Sequence, residues 1–231
     1  MNAARKKFLP LKPVPINHST MRKLAISILG ADFMDLRSTL ELCESLGDRL
    51  HFDVMDGHFV PNLSFGFPVL ASLKTRLPID AHLMIANPEQ YAAQYAAYCD
   101  TVYIHAETGL DIWLDCANQV RSLGKNCGIV VNPQTAVEDI LPLLDQLTHI
   151  LIMSVEPGFG GQECQTSVFE KIRTLKQQKP SLVLSVDGGI NAKTAPLARD
   201  AGADVLISGS FILKAKDPAH AANLVRGVSV S

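Results

Sequence analysis

The sequence has few charged residues and almost no excess of either sign. Lys and Arg number 21 and Asp and Glu number 23, so the formal net charge is −2, and only 19% of the residues are charged. A chain this balanced offers no broad basic face, and we expect it to bind neither nucleic acid nor an acidic membrane surface. It also lacks an apolar run near the ~18 residues that a membrane-spanning helix needs.

Cysteine is scarce as well. The five cysteines are odd in number, lie far apart and include no Cys-x-x-Cys pair. This pattern argues against a disulfide framework and against a zinc-thiolate site, and it is typical of a protein of the reducing cytoplasm. The five are Cys43, Cys99, Cys116, Cys127 and Cys164.

The N-terminal segment lacks acidic residues up to Asp32, while several Lys and Arg residues and three prolines fall within it. It has no apolar stretch of the kind that a secretory signal requires. We therefore expect residues 1–20 to be a disordered extension, with an organellar targeting segment as the less favoured alternative. The compact domain is expected to span residues 21–231.

Hydrophobic residues make up 47% of the 231, enough for one large domain with a substantial core. Short apolar, β-branched segments recur at intervals of 22 to 32 residues: Leu24–Leu29, Leu50–Val54, Ile79–Leu83, Thr101–Ile104, Gly128–Val131, Ile150–Met153, Leu182–Val186 and Asp204–Ile207. Helical spacing of apolar residues falls between them, as in Phe33–Leu46, Pro88–Tyr98, Asp111–Leu123 and Val137–Leu147. Glycines that cap helix C-termini are expected at Gly47, Gly124 and Gly202. The repeat predicts an α/β protein, a single-domain (β/α)8 barrel.

Chemistry in such barrels sits at the C-terminal ends of the strands. His51 and Asp53 share one face of predicted strand 2, because side chains alternate along a strand. His82 on strand 3 and Asp187 on strand 7 complete a set of two imidazoles and two carboxylates. This set suits one divalent metal ion per subunit, namely zinc, iron(II), manganese or cobalt, and does not choose among them.

Three methionines accompany these strand ends. Met55 and Met84 each follow a proposed ligand by two residues, and Met153 ends strand 6. They could form a water-poor lining over the metal site, and the alternative is ordinary core packing. The ends of strands 4 and 5 offer no clear role, although His105 is expected beside the ligands. The other histidines, His18, His58, His149 and His220, are expected to be solvated or structural.

Small residues at three strand ends predict an anion site. The loops after strands 7 and 8, where such barrels bind phosphate, carry Gly188-Gly189 and Gly209-Ser210. Glycines let backbone N–H groups approach phosphate oxygens, and a helix beginning just after Ser210 would add its N-terminal dipole. The loop Gly158-Phe159-Gly160-Gly161 supplies more donors and is suited to act as a lid.

The carboxylates of Asp53 and Asp187 are the candidate catalytic pair. Two carboxylates that flank one carbon can remove a proton from one face and return one to the other. A Lewis-acidic metal makes a C–H bond beside a carbonyl acidic enough for this step. Epimerisation of a phosphorylated keto-sugar uses every predicted part of the site.

The chain resembles the ribulose-phosphate 3-epimerase family over about residues 23–215. The matching runs are residues 27–29 with 31–33, 51–62, 82–84, 132–133 with Thr135, Met153, 157–162 and 187–190. Ile26 stands where the family usually has Pro, and Gly30 where serine or asparagine is common.

The resemblance implies specific roles for these residues. It implies metal ligation by His51, Asp53, His82 and Asp187, with Asp53 as proton acceptor and Asp187 as proton donor. The substrate contacts that it implies are Ser27, His51, His82, Gly158, Phe159, Gly160, Gly161, Asp187, Gly188, Gly189, Gly209 and Ser210.

The resemblance also implies an activity and an assembly. We expect interconversion of D-ribulose 5-phosphate and D-xylulose 5-phosphate in the pentose phosphate pathway, by a cytoplasmic homo-oligomer that is either a dimer or a hexamer. An epimerase for a related ketose phosphate such as allulose 6-phosphate is the nearest alternative. A non-catalytic phosphosugar-binding barrel is a further one, disfavoured because binding alone does not need paired acids on two strands.

Overall fold

The computed structural model describes residues 22–228 and shows eight parallel strands closed into a barrel in chain order. The strands are β1 (Lys23–Ser27), β2 (Arg49–Met55), β3 (Ile79–Met84), β4 (Thr101–His105), β5 (Asn126–Val131), β6 (His149–Met153), β7 (Val183–Asp187) and β8 (Val205–Ser208). Each predicted strand agrees with an observed one to within two residues at either end. The predicted (β/α)8 barrel is confirmed, and the predicted extension at residues 1–20 lies outside the described residues.

Helices surround the barrel. They are α1 (Leu36–Leu46), α2 (Phe67–Ser72), α3 (Ala92–Ala96), α4 (Leu110–Ser122), α5 (Phe169–Gln178), α6 (Thr194–Ala201), α7 (Ser210–Leu213) and α8 (Pro218–Arg226). Short 3-10 segments cover Phe33–Asp35, Pro88–Gln90, Ala106–Thr108, Val137–Gln146 and Thr166–Val168. Within residues 22–228, none of the helices has the length and apolar character needed to cross a bilayer.

The segment between β5 and β6 is helical as predicted, but it is a 3-10 helix over Val137–Gln146. Pro142 lies inside it, and a proline has no N–H and crowds the carbonyl four residues earlier in an α-helix. The apolar spacing still serves its purpose, since Val137, Ile140 and Leu143 are buried.

The three predicted glycine caps differ in backbone conformation. Gly202 and Gly124 have φ of 106° and 72°, in the left-handed region that favours glycine. Gly47 is extended, with φ of −98°, yet its N–H still donates to the carbonyl of Cys43 at 2.7 Å. It therefore ends α1 without a left-handed turn.

Alternation along the strands sorts side chains into two layers. Leu50 and Phe52 on β2 belong to the large core that strands and helices share. His51 and Asp53, on the opposite face, point into the barrel and are buried there. The polar site is thus built into the barrel interior by the period of the strand.

The lower part of the barrel is filled by packed polar and aromatic groups. Arg49 holds Asp80 through two hydrogen bonds of 2.6 and 2.5 Å, and the Tyr103 hydroxyl lies 2.9 Å from the hydroxyl of Ser185. These contacts close the barrel below the C-terminal rim and leave chemistry to the rim.

Gly128 makes room for the Tyr103 ring, its partner across the β4–β5 pair. A Cβ at residue 128 would lie 2.4 Å from two ring carbons of Tyr103, whose hydroxyl is tethered to Ser185. We expect Gly128→Ala to lower the free energy of unfolding by about 1–3 kcal/mol, the usual effect of overpacking, as measured by urea denaturation.

Gly66→Ala is the matched control for this substitution. A Cβ at residue 66 would meet nothing closer than 3.9 Å, while the unfolded chain is stiffened by the same amount as at residue 128. Equal stability of the two variants would show that Tyr103 moves aside at no cost.

Candidate active site

The register of the strands brings four predicted residues together at the barrel mouth. Asp53 lies opposite His82 across the β2–β3 pair, and Asp187 ends β7 on the other side of β1 and β8. One ligand atom from each of His51, Asp53, His82 and Asp187 lies within 4.8 Å of the others. Residues that are far apart in the chain thus form one cluster.

The distances inside this cluster are short. His51 Nε2 lies 3.2 Å from Asp53 Oδ1 and 3.8 Å from Asp187 Oδ2, and His82 Nδ1 lies 3.0 Å from the same Asp53 oxygen. The two imidazoles are fully buried and Asp53 is nearly so, whereas the Asp187 side chain keeps 19% of its surface exposed. Asp187 is therefore the member of the cluster with the most direct access to the mouth.

His51 gives the clearest sign that the cluster suits a cation. Both of its ring nitrogens are buried and neither has a well-aligned hydrogen-bond partner, although Nε2 lies 3.2 Å from Asp53 Oδ1. A buried polar atom without a partner costs about 1–3 kcal/mol, which a bound ion would remove. Two imidazole nitrogens and two carboxylate oxygens are also the donors that zinc, iron(II), manganese and cobalt accept. The residues fit a divalent metal ion, and their chemistry does not choose which.

Burial and mutual charge separate the two carboxyl groups of the metal-free site. Burial raises the pKa of Asp187 to about 7, and the Asp53 charge adds to this effect against the attraction of His51. Burial acts in the same direction on Asp53, but the charges and hydrogen bonds of His51 and His82 hold its pKa well below the usual range. Two carboxyl groups with pKa values pushed apart are suited to opposite roles in proton transfer.

The pKa values of His51 and His82 are also shifted in opposite directions. Burial opposes a charge on His51, yet the carboxylates of Asp53 and Asp187 outweigh it and raise the pKa of His51 to about 9. Burial dominates at His82, where it lowers the pKa to about 4. A neutral imidazole is the form that ligates a metal, so His82 is already in that form and His51 would release its proton when the ion binds.

A cavity of about 220 Å³ opens above the cluster. The residues that line it include Ser27, Asp53, Met55, Met84, Met153, Gly158, Phe159, Gly160, Gly161, Asp187, Gly188, Gly189, Gly209 and Ser210. The three methionines therefore line the cavity, as predicted. Met55 and Met84 also pack with Val60 in a small apolar cluster, so the packing alternative holds as well. Of the predicted substrate contacts, His51 and His82 do not line the cavity, because they lie fully buried in the barrel.

Ser27 contacts Asp53 directly. Its hydroxyl donates to Asp53 Oδ2 at 2.8 Å, and it accepts the N–H of Leu29 at 3.3 Å. Ser27 thus orients the carboxylate as well as lining the cavity. Nearby, Gly30 faces Ser210, since a Cβ at residue 30 would lie 2.9 Å from the Ser210 hydroxyl. Residue 30 is a position at which the chain departs from the family pattern. Ser210 can place its hydroxyl here because residue 30 is a glycine.

The loops predicted to bind an anion lie together on one side of the cavity. Gly188 and Gly189 have φ of 111° and 61°, and a Cβ at residue 188 would lie 2.7 Å from a methyl of Val155. Only glycine fits this turn. The helix expected after Ser210 is present as α7, but it is a single turn, so it adds individual N–H donors more than a helix dipole.

The predicted lid is held from both ends. Gln162 Nε2 donates to the carbonyls of Glu156 and Phe159 at 2.7 and 2.9 Å, and Asn62 Nδ2 donates to that of Gly158 at 2.6 Å. The Phe159 side chain is 53% exposed. Sequence reasoning gave Asn62 no part in the lid, and no local pattern indicates a contact across the barrel mouth.

The end of β4 carries a contact that sequence reasoning left without a role. His105 Nε2 lies 2.9 Å from His82 Nε2, and His105 Nδ1 lies 2.9 Å from Glu107 Oε2. His105 was expected near the ligands, whereas Glu107 was not. The sequence signal for Glu107 is its spacing of two residues from His105 at the end of a strand.

Of the other histidines, His58 is exposed beside Asp56, and His149 lies near Thr148 at the start of β6.

Together, the fold and the cluster define a (β/α)8 barrel with a His/Asp metal-ligand set at its mouth. The sequence profile of the Ribulose-phosphate 3 epimerase family matches residues 23–213. The chain belongs to this family.

Relatives from several organisms agree with this assignment. The chain is 40% identical over 216 residues to the ribulose-phosphate 3-epimerase of Bacillus subtilis, covering 90% of this chain and 99% of that protein. It is 38% identical over 211 residues to the cytoplasmic isoform from Oryza sativa, covering 88% and 92%. It is 42% identical over 210 residues to the enzyme of Mycobacterium leprae, covering 88% and 93%.

Solved structures of other proteins share the fold. The structure titled KGPDC from Streptococcus mutans in complex with D-R5P superposes with a TM-score of 0.70 at 15% identity, covering 90% of this chain and 96% of that one. A 3-hexulose-6-phosphate synthase from Salmonella typhimurium gives 0.66 at 16%, covering 89% and 97%. At such identities the likeness concerns the barrel alone.

Proposed function

We propose that the protein interconverts D-ribulose 5-phosphate and D-xylulose 5-phosphate by moving the proton on C3 through an enediolate. The observation that carries the proposal is the meeting of Asp53 and Asp187 from β2 and β7 at the floor of one cavity, with carboxyl pKa values pushed apart. Relatives named ribulose-phosphate 3-epimerase cover nearly the whole chain and support the same activity.

His51, Asp53, His82 and Asp187 would hold one divalent metal ion. When bound, zinc, iron(II), manganese or cobalt supplies Lewis-acid stabilisation of the negative charge that develops as the C3 proton leaves. Asp53 and Asp187 then act both as ligands and as proton carriers.

The two carboxyl groups divide the proton transfers between opposite faces of C3. Asp53, kept ionised by His51 and His82 and oriented by Ser27, takes the proton from one epimer. Asp187, the member of the cluster with the most direct access to the mouth, delivers one to the other face. Each turnover leaves Asp53 protonated and Asp187 ionised, which is the arrangement that starts the reverse reaction. Proton exchange with solvent restores the first arrangement before the next turnover in the same direction.

The remaining cavity residues bind and shield the substrate. Backbone N–H groups of Gly189, Gly209 and Ser210 hold the phosphate, while Gly188 lines the same site and donates its N–H to Asp187 Oδ1 at 2.8 Å. The loop Gly158–Gly161 covers the bound sugar. Met55, Met84 and Met153 keep water from the enediolate. We also assign a substrate contact to Ser27. His51 and His82, which are predicted as substrate contacts too, lie buried below the cavity and would act on the substrate through the metal ion that they hold.

We further propose the setting of this activity. The domain comprises residues 21–231, the enzyme serves the pentose phosphate pathway in the cytoplasm, and it assembles as a homodimer or homohexamer. The cysteine pattern and the rice relative, which is named as a cytoplasmic isoform, support the location. Family membership supports the assembly.

Substrate assays with metal-loaded protein test the proposed activity. We expect kcat/KM for ribulose 5-phosphate to exceed that for allulose 6-phosphate by about 10-fold or more, since one extra carbon in a fitted pocket changes discrimination by ~10–200-fold. The reverse order would favour the hexose phosphate epimerase. Turnover of neither sugar by protein with one metal ion per subunit would favour a binding barrel.

A further inference from the structure

We propose that Glu107 and His105 are positioning residues that fix which ring nitrogen His82 presents to the metal ion. This inference rests on the metal site of the proposed function. It concerns a chain of three side chains, Glu107, His105 and His82, which runs from the β4 rim into the cluster. Neither Glu107 nor His105 lines the cavity.

The geometry leaves His82 one ligand atom. Its Nδ1 faces the cluster, 3.0 Å from Asp53 Oδ1, while its Nε2 lies 2.9 Å from His105 Nε2. Both imidazoles are fully buried, so no solvent can supply or take a hydrogen at these atoms. Only the form of His82 with its hydrogen on Nε2 has a lone pair free at Nδ1 to bind a cation.

An acceptor at the far end of the chain selects this form. A carboxylate can only accept hydrogen bonds, so Glu107 requires His105 to carry its hydrogen on Nδ1 and donate it. His105 Nε2 then has a lone pair, and His82 must donate from Nε2. One carboxylate thus sets the direction of both hydrogen bonds, and a metal ion that takes the place of the hydrogen between His82 Nδ1 and Asp53 Oδ1 finds a lone pair on Nδ1.

Glu107 is itself firmly placed and ionised. Its Oε1 accepts from the Thr135 hydroxyl and from the N–H of Asn132, the latter at 3.1 Å. Lys171 Nζ secures the same loop by donating to the carbonyls of Asn132, Pro133 and Thr135 at 2.8, 2.8 and 2.6 Å. Burial opposes a charge on Glu107, but hydrogen bonds from His105 and Thr135 lower the pKa of this carboxyl group to about 2.

Two substitutions of Glu107 distinguish a role in setting the direction of the hydrogen bonds from a role in side-chain packing. Gln has the same shape, but its amide can donate to His105 Nδ1, which permits the reversed chain and places a hydrogen on His82 Nδ1. Asp is shorter, but it can only accept. We expect Glu107→Gln to weaken zinc binding by about 10–100-fold and Glu107→Asp to weaken it less. A packing role would give the opposite order, because Gln preserves the contacts.

The experiment measures zinc affinity of the full chain by competition with a chelator, alongside melting of the metal-free proteins. His149→Gln is the control, since it replaces a partly buried histidine at the start of β6, away from the cluster, and should leave zinc affinity unchanged. Wild-type zinc affinity in Glu107→Gln, or a larger loss in Glu107→Asp, would overturn the proposal.

Nitrogen-15 NMR of the zinc-loaded wild type gives a readout that does not depend on catalysis. We expect the ring hydrogen of His82 on Nε2 and that of His105 on Nδ1. A hydrogen on His105 Nε2 would overturn the proposal even if every variant were less active. Conversely, zinc-loaded protein with the expected hydrogens but no epimerase activity would reject the proposed function and leave the positioning role standing.

Discussion

Asp187→Asn is expected to lower interconversion of ribulose and xylulose 5-phosphate by at least ~10²-fold, the low end for losing a general acid or base. The substitution keeps the shape of the side chain but removes one proton carrier from the pair that meets at the cavity floor. Asp53 remains, and it still faces one side of C3. In heavy water the variant should therefore wash deuterium into one of the two epimers and not into the other.

Asp53→Asn should give the mirror result. Asp187 can then exchange the proton only of the epimer whose C3–H bond faces it, so the labelled sugar changes while interconversion falls by a similar factor. Following deuterium in each sugar separately, by mass spectrometry or proton NMR, distinguishes this outcome from a general loss of activity. The pair of variants thus assigns a face of the substrate to each carboxylate.

Metal content is the necessary control for both variants, because each aspartate is also a proposed ligand. An empty site would stop exchange and interconversion together. A metal-loaded single variant that exchanges both epimers at similar rates would show that one residue, or a water molecule, serves both faces. The assignment of Asp53 and Asp187 as opposed acid and base would then be wrong.

His82→Ala is expected to lower bound metal and activity together, with a loss of affinity of ~10²-fold or more. The substitution removes a proposed ligand itself, and losing even a neighbour that orients a ligand typically costs about 10–100-fold. It also removes the hydrogen-bond partner of Asp53 Oδ1 in a fully buried site. Elemental analysis of protein purified without added metal, combined with the ribulose 5-phosphate assay, measures both quantities.

His149→Ala provides the comparison for His82→Ala. His149 begins β6, away from the cluster, and its replacement tests what losing a partly buried imidazole does to stability alone. Its metal content should match that of the wild type. Normal metal occupancy in His82→Ala would remove His82 from the ligand set.

Local pattern alone was enough to predict the barrel and the four residues of the His/Asp cluster. Side chains alternate along any strand, so His51, Asp53 and Met55 had to share a face wherever β2 lay. Parallel strands of one barrel end at the same rim, so Asp187 at the end of β7 was expected near them. The family motifs in the same runs pointed to the same residues.

Tertiary structure decided what depends on neighbours from distant parts of the chain. The separation of the carboxyl pKa values follows from burial and from the approach of Asp53, Asp187 and His51 across the barrel. The lid contact of Asn62 with Gly158 joins loops that follow β2 and β6. Neither the pKa separation nor this contact can be predicted from the periodic spacing of residues along the chain.

The role suggested for Glu107 shows the same limit most clearly. Its spacing from His105 is visible in the sequence, but its meaning depends on His105 meeting His82 from the next strand at 2.9 Å. Periodicity fixes which face of a strand a side chain takes. Only the packed barrel fixes which atoms then touch, because hydrogen bonds and charge interactions act through distances of a few ångströms that no one-dimensional pattern specifies.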